Sequence, residues 1–270
     1  MPLTQFLNAF GFQPGEVFAC IGAGGKTTIA WQLMAEARGH GQPVIFTTTT
    51  HILEPILPPD TILVLSTAPD SQRMRRLTTS HSGLVLAGAR LPDTLPYIDP
   101  NPVAPARPVK LAGLSPAQID RLVEVLPSVI WLIEADGARG RGLKFPAAHE
   151  PAIPARSTTV AVVAHLDTIG HPLDAATVHR ADQAAMFLGV RIGDPIVADH
   201  IVRLMSDPAA ALKGIPDGAR AVGVLTQRDD ARLHPQAQHI ASRLRAAGRY
   251  ERVIIASPRA AQPVLEVFLA

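Results

Sequence analysis

Cysteines and long apolar runs are scarce in this sequence of 270 residues. The single cysteine, Cys20, excludes an intrachain disulfide and a cysteine-rich zinc site. No apolar run approaches the roughly 20 residues that a membrane-spanning helix needs. The first residues have neither a basic segment nor a long apolar core, so they do not resemble a secretory leader. We therefore expect a cytoplasmic protein with no membrane partner.

An excess of charge of one sign is also missing. The chain has 25 Lys and Arg against 23 Asp and Glu, for a formal net charge of +2. The basic residues are mostly arginines scattered along the chain, which argues against a nucleic-acid partner. Hydrophobic residues make up 47% of the chain, which is enough for a core and too much for a disordered protein. The length suits one large domain, or one domain with an insertion.

Apolar runs alternate with helical patterns along the chain, which predicts an α/β fold. A predicted strand at 16–22, a helix at 27–38 and a strand at 43–49 form a βαβ unit, which implies a parallel sheet flanked by helices. Further apolar runs lie at 62–66 and 84–87. Further strands are predicted at 128–133, 159–165, 221–226 and 252–256, with helices at 115–126, 181–188, 194–205 and 235–247 and a short apolar helix at the C-terminus.

A proline-rich segment interrupts this alternation. Residues 92–108 contain six prolines in 17 positions, so this segment should be extended or looping. We predict a single domain, 1–270, that carries a non-helical, proline-rich insertion at 51–114.

A glycine-rich stretch, GAGGKTT, lies between the first predicted strand and helix. It differs from the dinucleotide fingerprint because Thr27 stands where the third glycine belongs, and because the second strand ends in threonines rather than an acidic residue. Gly25, Lys26 and Thr27 match the end of the phosphate-loop pattern, although Cys20 occupies the position of its first glycine. The stretch therefore favours a phosphate loop over a dinucleotide site or a plain surface turn.

The residue types of this stretch suit the binding of a triphosphate with Mg²⁺. Glycines allow backbone N–H groups to turn towards an anion, and the N-terminus of the following helix adds a partial positive charge. Lys26 is one of only four lysines in the chain and would neutralise phosphate oxygens. The Thr27 hydroxyl would bind Mg²⁺. The predicted nucleotide contacts in the loop are Gly22, Ala23, Gly24, Gly25, Lys26, Thr27 and Thr28.

Polar residues also follow the next predicted strands, where parallel α/β folds place ligand groups. The second strand runs into four threonines, of which we assign Thr49 to the metal. Glu134 and Asp136 follow the strand at 128–133 and lie on the same side of an extended chain. P-loop NTPases use carboxylates at this position to hold Mg²⁺ or to orient the attacking water. The predicted metal ligands are Thr27, Thr49, Glu134 and Asp136, and the predicted catalytic residues are Lys26, Glu134 and Asp136. The alternative is a strand-end turn.

The loop after these carboxylates is rich in charge. Arg139, Arg141 and Lys144 are expected to be flexible positive charges beside the phosphates. His149 and Glu150 could bind a metal or transfer protons, or could simply belong to a solvated loop.

Residues 226–229 stand where GTPases carry the motif that recognises the base. Asp229 fits that motif as a base contact, but Thr226 and Gln227 replace its Asn and Lys. The choice between ATP and GTP therefore stays open.

Taken together, the motifs GAGGKTT, TTTTHI, IEADGARGRGLKFPAAHEP and LDTIGHPL…VHR resemble the selenium-dependent molybdenum hydroxylase accessory proteins, the YqeC-like family. The resemblance extends from about residue 17 to residue 229. It implies a P-loop NTPase-like fold of the metallochaperone or partition type. It also implies a role in maturing the selenium- and molybdopterin-containing hydroxylase cofactor, with a maturation protein or that cofactor as partner.

Three functional hypotheses follow. The first is a slow Mg²⁺-dependent NTPase that assists cofactor maturation. The second is a small-molecule kinase in which Arg139, Arg141 and Lys144 grip the acceptor. The third is a non-catalytic scaffold in which nucleotide binding rearranges the proline-rich segment. Stimulation of turnover by a protein would favour the first, and stimulation by a metabolite would favour the second.

Overall fold

The computed structural model describes residues 5–92, 109–228 and 233–269, and it confirms an α/β fold. The helices are α1 (Gln5–Phe10), α2 (Lys26–Gly39), α3 (Ser71–Ser80), α4 (Pro116–Val125), α5 (Ala181–Leu188), α6 (Ala198–Ser206) and α7 (His234–Ala246), with a 3₁₀ turn at Leu166–Thr168. The strands are β1 (Val17–Gly22), β2 (Val44–Thr48), β3 (His51–Leu53), β4 (Thr61–Leu65), β5 (Gly83–Ala87), β6 (Ala89–Arg90), β7 (Lys110–Ala112), β8 (Ile130–Glu134), β9 (Leu143–Lys144), β10 (Thr159–His165), β11 (Val178–His179), β12 (Arg220–Thr226), β13 (Arg252–Ala256) and β14 (Val264–Leu269).

The central sheet has nine strands among the described residues, in the order β14-β13-β12-β10-β1-β8-β2-β5-β4. All neighbouring strands in it are parallel except the pair β13 and β14. The predicted mostly parallel sheet is therefore confirmed, and its arrangement is consistent with a P-loop NTPase-like fold. Strands β1, β8 and β2 lie side by side in the middle, so their carboxyl ends meet at one edge.

Both faces of this sheet are buried, which explains why its strands are almost uniformly apolar. Successive residues of β1 enter opposite cores: Ala19 and Ile21 face one, and Phe18 and Cys20 face the other. Helices α1 and α2 pack on the face of Phe18, and helices α3 to α7 supply buried residues to the opposite face. The glycine loop leaves β1 and enters α2, so it crosses the edge of the sheet between these layers.

Two predictions of secondary structure are wrong. The predicted C-terminal helix is strand β14, which pairs antiparallel with β13. Its sequence, VLEVFL, is rich in β-branched and aromatic residues that suit a strand. The predicted absence of helix within 51–114 is contradicted by α3, which begins after Asp70; the Asp70 side chain accepts a hydrogen bond from the backbone N–H of Arg73.

The region 51–114 contributes to two different sheets. Strands β4 and β5 extend the central sheet, whereas β3, β7 and β6 form a separate antiparallel sheet. The core of the proline-rich segment, residues 93–108, lies outside the described residues. A single domain with an insertion therefore stays a prediction. Within the described residues, no helix is both long and apolar enough to cross a membrane.

Candidate functional site

The glycine loop turns sharply between β1 and α2. Gly22, Gly24 and Gly25 have φ angles of 89°, 82° and 112°, in the left-handed region that favours glycine. A Cβ on Gly22 would lie 2.2 Å from the carbonyl oxygen of Val163, and a Cβ on Gly24 would lie 2.3 Å from the Cβ of His165. Neighbouring strand β10 therefore leaves no room for side chains at these two positions.

The first amides of α2 are available to an anion. In the described part of the chain, the N–H of Ile29 is the first in this helix that donates to a backbone carbonyl, that of Gly25 at 2.9 Å. The N–H groups of Lys26, Thr27 and Thr28 precede it and have no such partner, as at any helix N-terminus. Gly25 precedes the helix and makes no side-chain cap. The predicted loop thus presents donors and the positive end of the helix dipole together.

Lys26 is buried at this turn, with 5% of its surface exposed. Its ammonium donates a 2.6 Å hydrogen bond to the carbonyl oxygen of Gly22 and lies 3.0 Å from Oδ1 of Asp136. Burial alone would lower the pKa of Lys26, but the nearby carboxylates of Asp136 and Glu134 outweigh it and raise this pKa. Lys26 is therefore held as a cation inside the loop.

Asp136 stands at the start of the segment that follows β8, and its side chain joins that segment to the glycine loop. Its side chain is 4% exposed, and its Oδ2 accepts a 2.9 Å hydrogen bond from the N–H of Gly22. The same oxygen lies 3.0 Å from the ammonium of Lys144. One carboxylate thus faces two buried lysines, Lys26 and Lys144. The strand-end turn alternative does not account for these contacts.

Glu134 is the second carboxylate at this edge. Its Oε2 accepts a 2.7 Å hydrogen bond from the hydroxyl of Thr27, the loop residue assigned to Mg²⁺. Burial raises the pKa of Glu134, although the charge of Lys26 and the Thr27 hydroxyl act in the opposite direction. The two residues meet because β1 and β8 are adjacent parallel strands, with Cys20 opposite Glu134.

The threonines at the end of β2 have different partners. The hydroxyls of Thr47 and Thr48 donate 2.8 Å hydrogen bonds to the carbonyl oxygens of Leu86 and Glu134, so both serve the sheet. Thr49 places its backbone N–H 3.1 Å from the same Glu134 carbonyl, but its buried hydroxyl oxygen finds no hydrogen-bond partner among the described residues. A buried hydroxyl without a partner calls for an explanation, and a ligand is one.

The candidate metal ligands suit Mg²⁺ rather than a transition metal. No group of three or more His, Cys, Asp or Glu side chains gathers anywhere in the described residues. Mg²⁺ does not need one, because it keeps several waters and binds one or two carboxylates together with substrate phosphates. The hydroxyls of Thr27 and Thr49 and the carboxylates of Glu134 and Asp136 provide that chemistry at one sheet edge.

Lys144 and Glu150 are not the flexible or solvated groups that the sequence suggested. The Lys144 side chain is 1% exposed, and its ammonium lies 2.8 Å from Oε2 of Glu150. Arg180 donates a 2.7 Å hydrogen bond to that same oxygen. Burial alone would raise the pKa of Glu150, but hydrogen bonds from Lys144 and Arg180 lower it to about 2. His149 is exposed and has no place in this cluster.

His165 is a neighbour of the loop that sequence reasoning did not single out. Its Nδ1 lies 3.0 Å from the hydroxyl of Thr226, which itself donates a 2.5 Å hydrogen bond to the carbonyl oxygen of Gly24. Its Nε2 lies 3.5 Å from Oδ2 of Asp167. The signal was available, because His165 ends strand β10 at the edge where ligand groups gather.

The predicted base contact cannot be placed, because Asp229 lies outside the described residues and stays a prediction. Two of its neighbours are described. Thr226 contacts the loop, and Gln227 is buried, with its backbone N–H 2.9 Å from the carbonyl oxygen of Ala256. The end of β12 therefore does reach the glycine loop.

The charged groups at the loop pair with one another: Lys26 with Asp136, and Asp136 with Lys144. Among the clefts of the described surface are two with volumes of about 270 and 590 Å³. The first is lined by residues of α2 and the segment before β14, and the second by residues around Phe145 and Phe187. A phosphate that contacts Lys26 would therefore compete with Asp136 for the ammonium.

Comparisons with known proteins agree on one family. A family model described as "YqeC protein" matches residues 18–182, a range that contains the glycine loop, Glu134, Asp136, Lys144 and Glu150. A relative described as "Uncharacterized protein YqeC", from Escherichia coli (strain K12), is 32% identical over 213 residues. That match covers 76% of this chain and 73% of the relative. No solved structure matches the chain.

Proposed function

The chain belongs to the YqeC family, and from that premise we propose that it binds a nucleoside triphosphate, ATP or GTP, together with Mg²⁺ at the glycine loop. One observation carries the proposal. Lys26 is buried as a cation at the N-terminus of α2, between the carbonyl oxygen of Gly22 and the carboxylate of Asp136. In a plain surface turn such a lysine would lie in solvent, because burying a charged group costs free energy unless the group is paired.

The loop residues would bind the phosphates. The amides of Lys26, Thr27 and Thr28 point along the helix axis towards the loop, where they would donate to phosphate oxygens. The ammonium of Lys26 would leave the carboxylate of Asp136, bind a phosphate oxygen and neutralise the negative charge of that phosphate. Because Gly22 and Gly24 have no side chains, β10 packs closely against one side of the loop. The ligand would bind on the opposite side.

The residues around Thr27 fit a magnesium ion. Thr27, Glu134 and Thr49 would hold the ion directly or through water, and Asp136 stands beside them. When bound, Mg²⁺ neutralises charge on the phosphates during their displacement. Thr27 and Glu134 already orient each other through their hydrogen bond, so this part of the site is organised by the protein itself.

We further propose slow hydrolysis of the bound triphosphate. Glu134 and Asp136 lie two residues apart at the end of β8, and either carboxylate could orient an attacking water. The role of this turnover is carried over from the family resemblance: assistance to the maturation of a selenium- and molybdopterin-containing hydroxylase cofactor. The structure favours the kinase hypothesis less, because Lys144 is buried in ion pairs and is not free to grip an acceptor.

A thermal-shift screen with ATP, GTP, CTP and tripolyphosphate, each with Mg²⁺, tests the binding proposal. A ligand at 100 times its Kd should stabilise the protein by about 2.7 kcal/mol. Stabilisation by tripolyphosphate would locate binding at the phosphates, and a difference between ATP and GTP would identify the base. If no triphosphate stabilises the protein at millimolar concentration, the proposal is wrong.

Release of labelled phosphate then tests turnover. Adding a purified molybdenum hydroxylase that lacks its cofactor should accelerate release if the maturation role is correct. Acceleration by small metabolites alone would favour the kinase.

A further inference from the structure

A chain of alternating charges leads away from the glycine loop. Asp136 lies between Lys26 and Lys144, at 3.0 Å from each ammonium. Lys144 in turn lies 2.8 Å from Glu150, which lies 2.7 Å from Arg180. Lys26, Asp136 and Lys144 are all less than a tenth exposed. The candidate phosphate site therefore continues into a network that the binding of phosphate alone would not require.

We propose that Lys144 is a positioning residue for phosphate binding: it keeps Asp136 paired and in place when the ammonium of Lys26 leaves it for a phosphate oxygen. The proposal rests on the proposed function and assigns one further residue to the same site. Lys144 itself does not contact the nucleotide in this role.

The contacts of Asp136 give the physical reason. Its carboxylate has three partners: the ammonium groups of Lys26 and Lys144, and the N–H of Gly22. When Lys26 moves to a phosphate, Asp136 keeps one cation and one backbone donor. Without Lys144, the same movement would leave a buried carboxylate with no cationic side chain beside it, which is unfavourable. Lys144 thus makes Lys26 available to a ligand.

The contacts of Lys144 show that it is held in this position and does not serve a ligand directly. Its ammonium has three protons and three oxygen partners: Asp136, Glu150, and the carbonyl oxygen of Gly137 at 2.7 Å. Its backbone belongs to the short strand β9, which pairs with β11. Glu150 is also held by Arg180 and by the N–H of Ala147, which both donate to the same Oε2.

A purely structural lysine would make the same contacts, so the test must separate stability from phosphate binding. The variants are Lys144→Met, which keeps the apolar stem, Asp136→Asn, and the two combined. Lys213→Met is the matched control, because the Lys213 ammonium also bonds to loop carbonyls, those of Ala147 and Ala148, but forms no ion pair within the described part of the chain. Urea unfolding establishes that each variant is folded.

Calorimetry with Mg²⁺ and ATP, GTP or tripolyphosphate provides the readout. Lys144→Met should weaken binding of the best ligand about tenfold or more, the scale of a hydrogen bond to a charged group. In the Asp136→Asn background the same substitution should change affinity by less than about threefold, because no carboxylate is left to be stranded. Lys213→Met should bind as the wild type does.

Two results would overturn the positioning role. One is wild-type affinity in Lys144→Met, and the other is an equal loss of affinity in both backgrounds. If Lys144→Met does not fold, Glu150→Gln replaces it and should show the same dependence on Asp136. Failure of every triphosphate to bind the wild type would instead overturn the proposed function, and the role of Lys144 with it.

Discussion

The hydroxyl of Thr27 donates a 2.7 Å hydrogen bond to the carboxylate of Glu134, a residue 107 positions further along the chain. The bond joins the first turn of α2 to the end of β8, so the two motifs with the chemistry of a nucleotide site meet. Adjacent parallel strands explain the meeting, since β1 and β8 bring Cys20 opposite Glu134.

Replacing Lys26 with methionine should strongly weaken triphosphate binding while leaving the protein folded. The substitution removes the buried ammonium but keeps an apolar side chain of similar length. Loss of one charge-assisted hydrogen bond predicts a decrease of about 10- to 150-fold in affinity, measured by calorimetry with Mg²⁺ and ATP or GTP. Lys213→Met is the control and should bind normally. Wild-type affinity in Lys26→Met would show that the loop does not bind phosphate.

Replacing Gly24 with alanine should disrupt the loop far more than the same change at Gly41. Both glycines have positive φ angles, 82° and 70°, so both variants carry backbone strain. Only at Gly24 would the new Cβ collide, at 2.3 Å from the Cβ of His165; nothing lies within 4 Å at Gly41. Urea unfolding should show a markedly larger loss of stability for Gly24→Ala. Equal losses would mean that β10 does not constrain the loop.

Much of this edge could be predicted from sequence, because the relevant signals are local. The glycine stretch directly follows an apolar strand, and Glu134 directly follows another; parallel topology then places both at one edge. The threonines after β2 could be located in the same way. Their separate roles could not, because the partners of Thr47 and Thr48 are carbonyl groups on neighbouring strands.

The partners of Lys144 could not be predicted in this manner. Its burial depends on the short pairing of β9 with β11 and on the ion pair with Glu150, which lies in the segment that follows β9. The C-terminal strand was missed for a related reason. VLEVFL is apolar enough for either a helix or a strand, and its pairing with β13 decides between them.

Lowering the pH should destabilise the protein in two pH windows, one set by His179 and the other by Glu150. The pKa of His179 is lowered from 6.5 to about 4 by burial and by the charges of Arg180, Lys144 and Arg139. In this pH range His179 therefore binds a proton in the unfolded chain but not in the folded chain. The free energy of unfolding falls as pH drops from 6.5 towards 4. The lowered pKa of Glu150 stabilises the fold above pH 4.5, and this contribution is lost as pH falls towards 2.

Urea unfolding at closely spaced pH values separates the two groups. His179→Gln should flatten the decline of stability between pH 6.5 and 4, and Glu150→Gln should flatten it between pH 4.5 and 2. His149→Gln is the control, since His149 is exposed. Curves for His179→Gln and Glu150→Gln that run parallel to the wild-type curve would contradict the assigned electrostatic environment.

Removing divalent metal should weaken nucleotide binding. In the part of the chain that the structure describes, the buried hydroxyl of Thr49 has no hydrogen-bond partner, which suits a site completed by an ion and its waters. Calorimetric titration with ATP or GTP should give lower affinity in EDTA than in Mg²⁺. Thr49→Val, which removes only the hydroxyl, should reduce this difference, and Thr78→Val on exposed α3 should not. Titrations that coincide with and without EDTA would rule out the metal assignment.

Replacing each carboxylate by its amide should separate the functions of Glu134 and Asp136. Glu134→Gln keeps an acceptor for the Thr27 hydroxyl but removes the negative charge next to the metal position. Asp136→Asn keeps the shape beside Gly22 but loosens the hold on Lys26. If one residue orients water, its amide variant should bind the triphosphate as well as the wild type or slightly better, because a negative charge near the phosphates is gone.

Turnover in that variant should fall by about 100-fold or more, the scale of positioned acid–base assistance. If binding is lost along with turnover, the residue holds the metal directly, and the contact with Thr27 makes Glu134 the better candidate for that outcome. The measurement is phosphate release under single-turnover conditions, with affinity determined in parallel. Wild-type rates in both variants would show that neither carboxylate takes part in hydrolysis. The bonds of Glu134 to Thr27 and of Asp136 to Lys26 would then serve only to hold the loop in place.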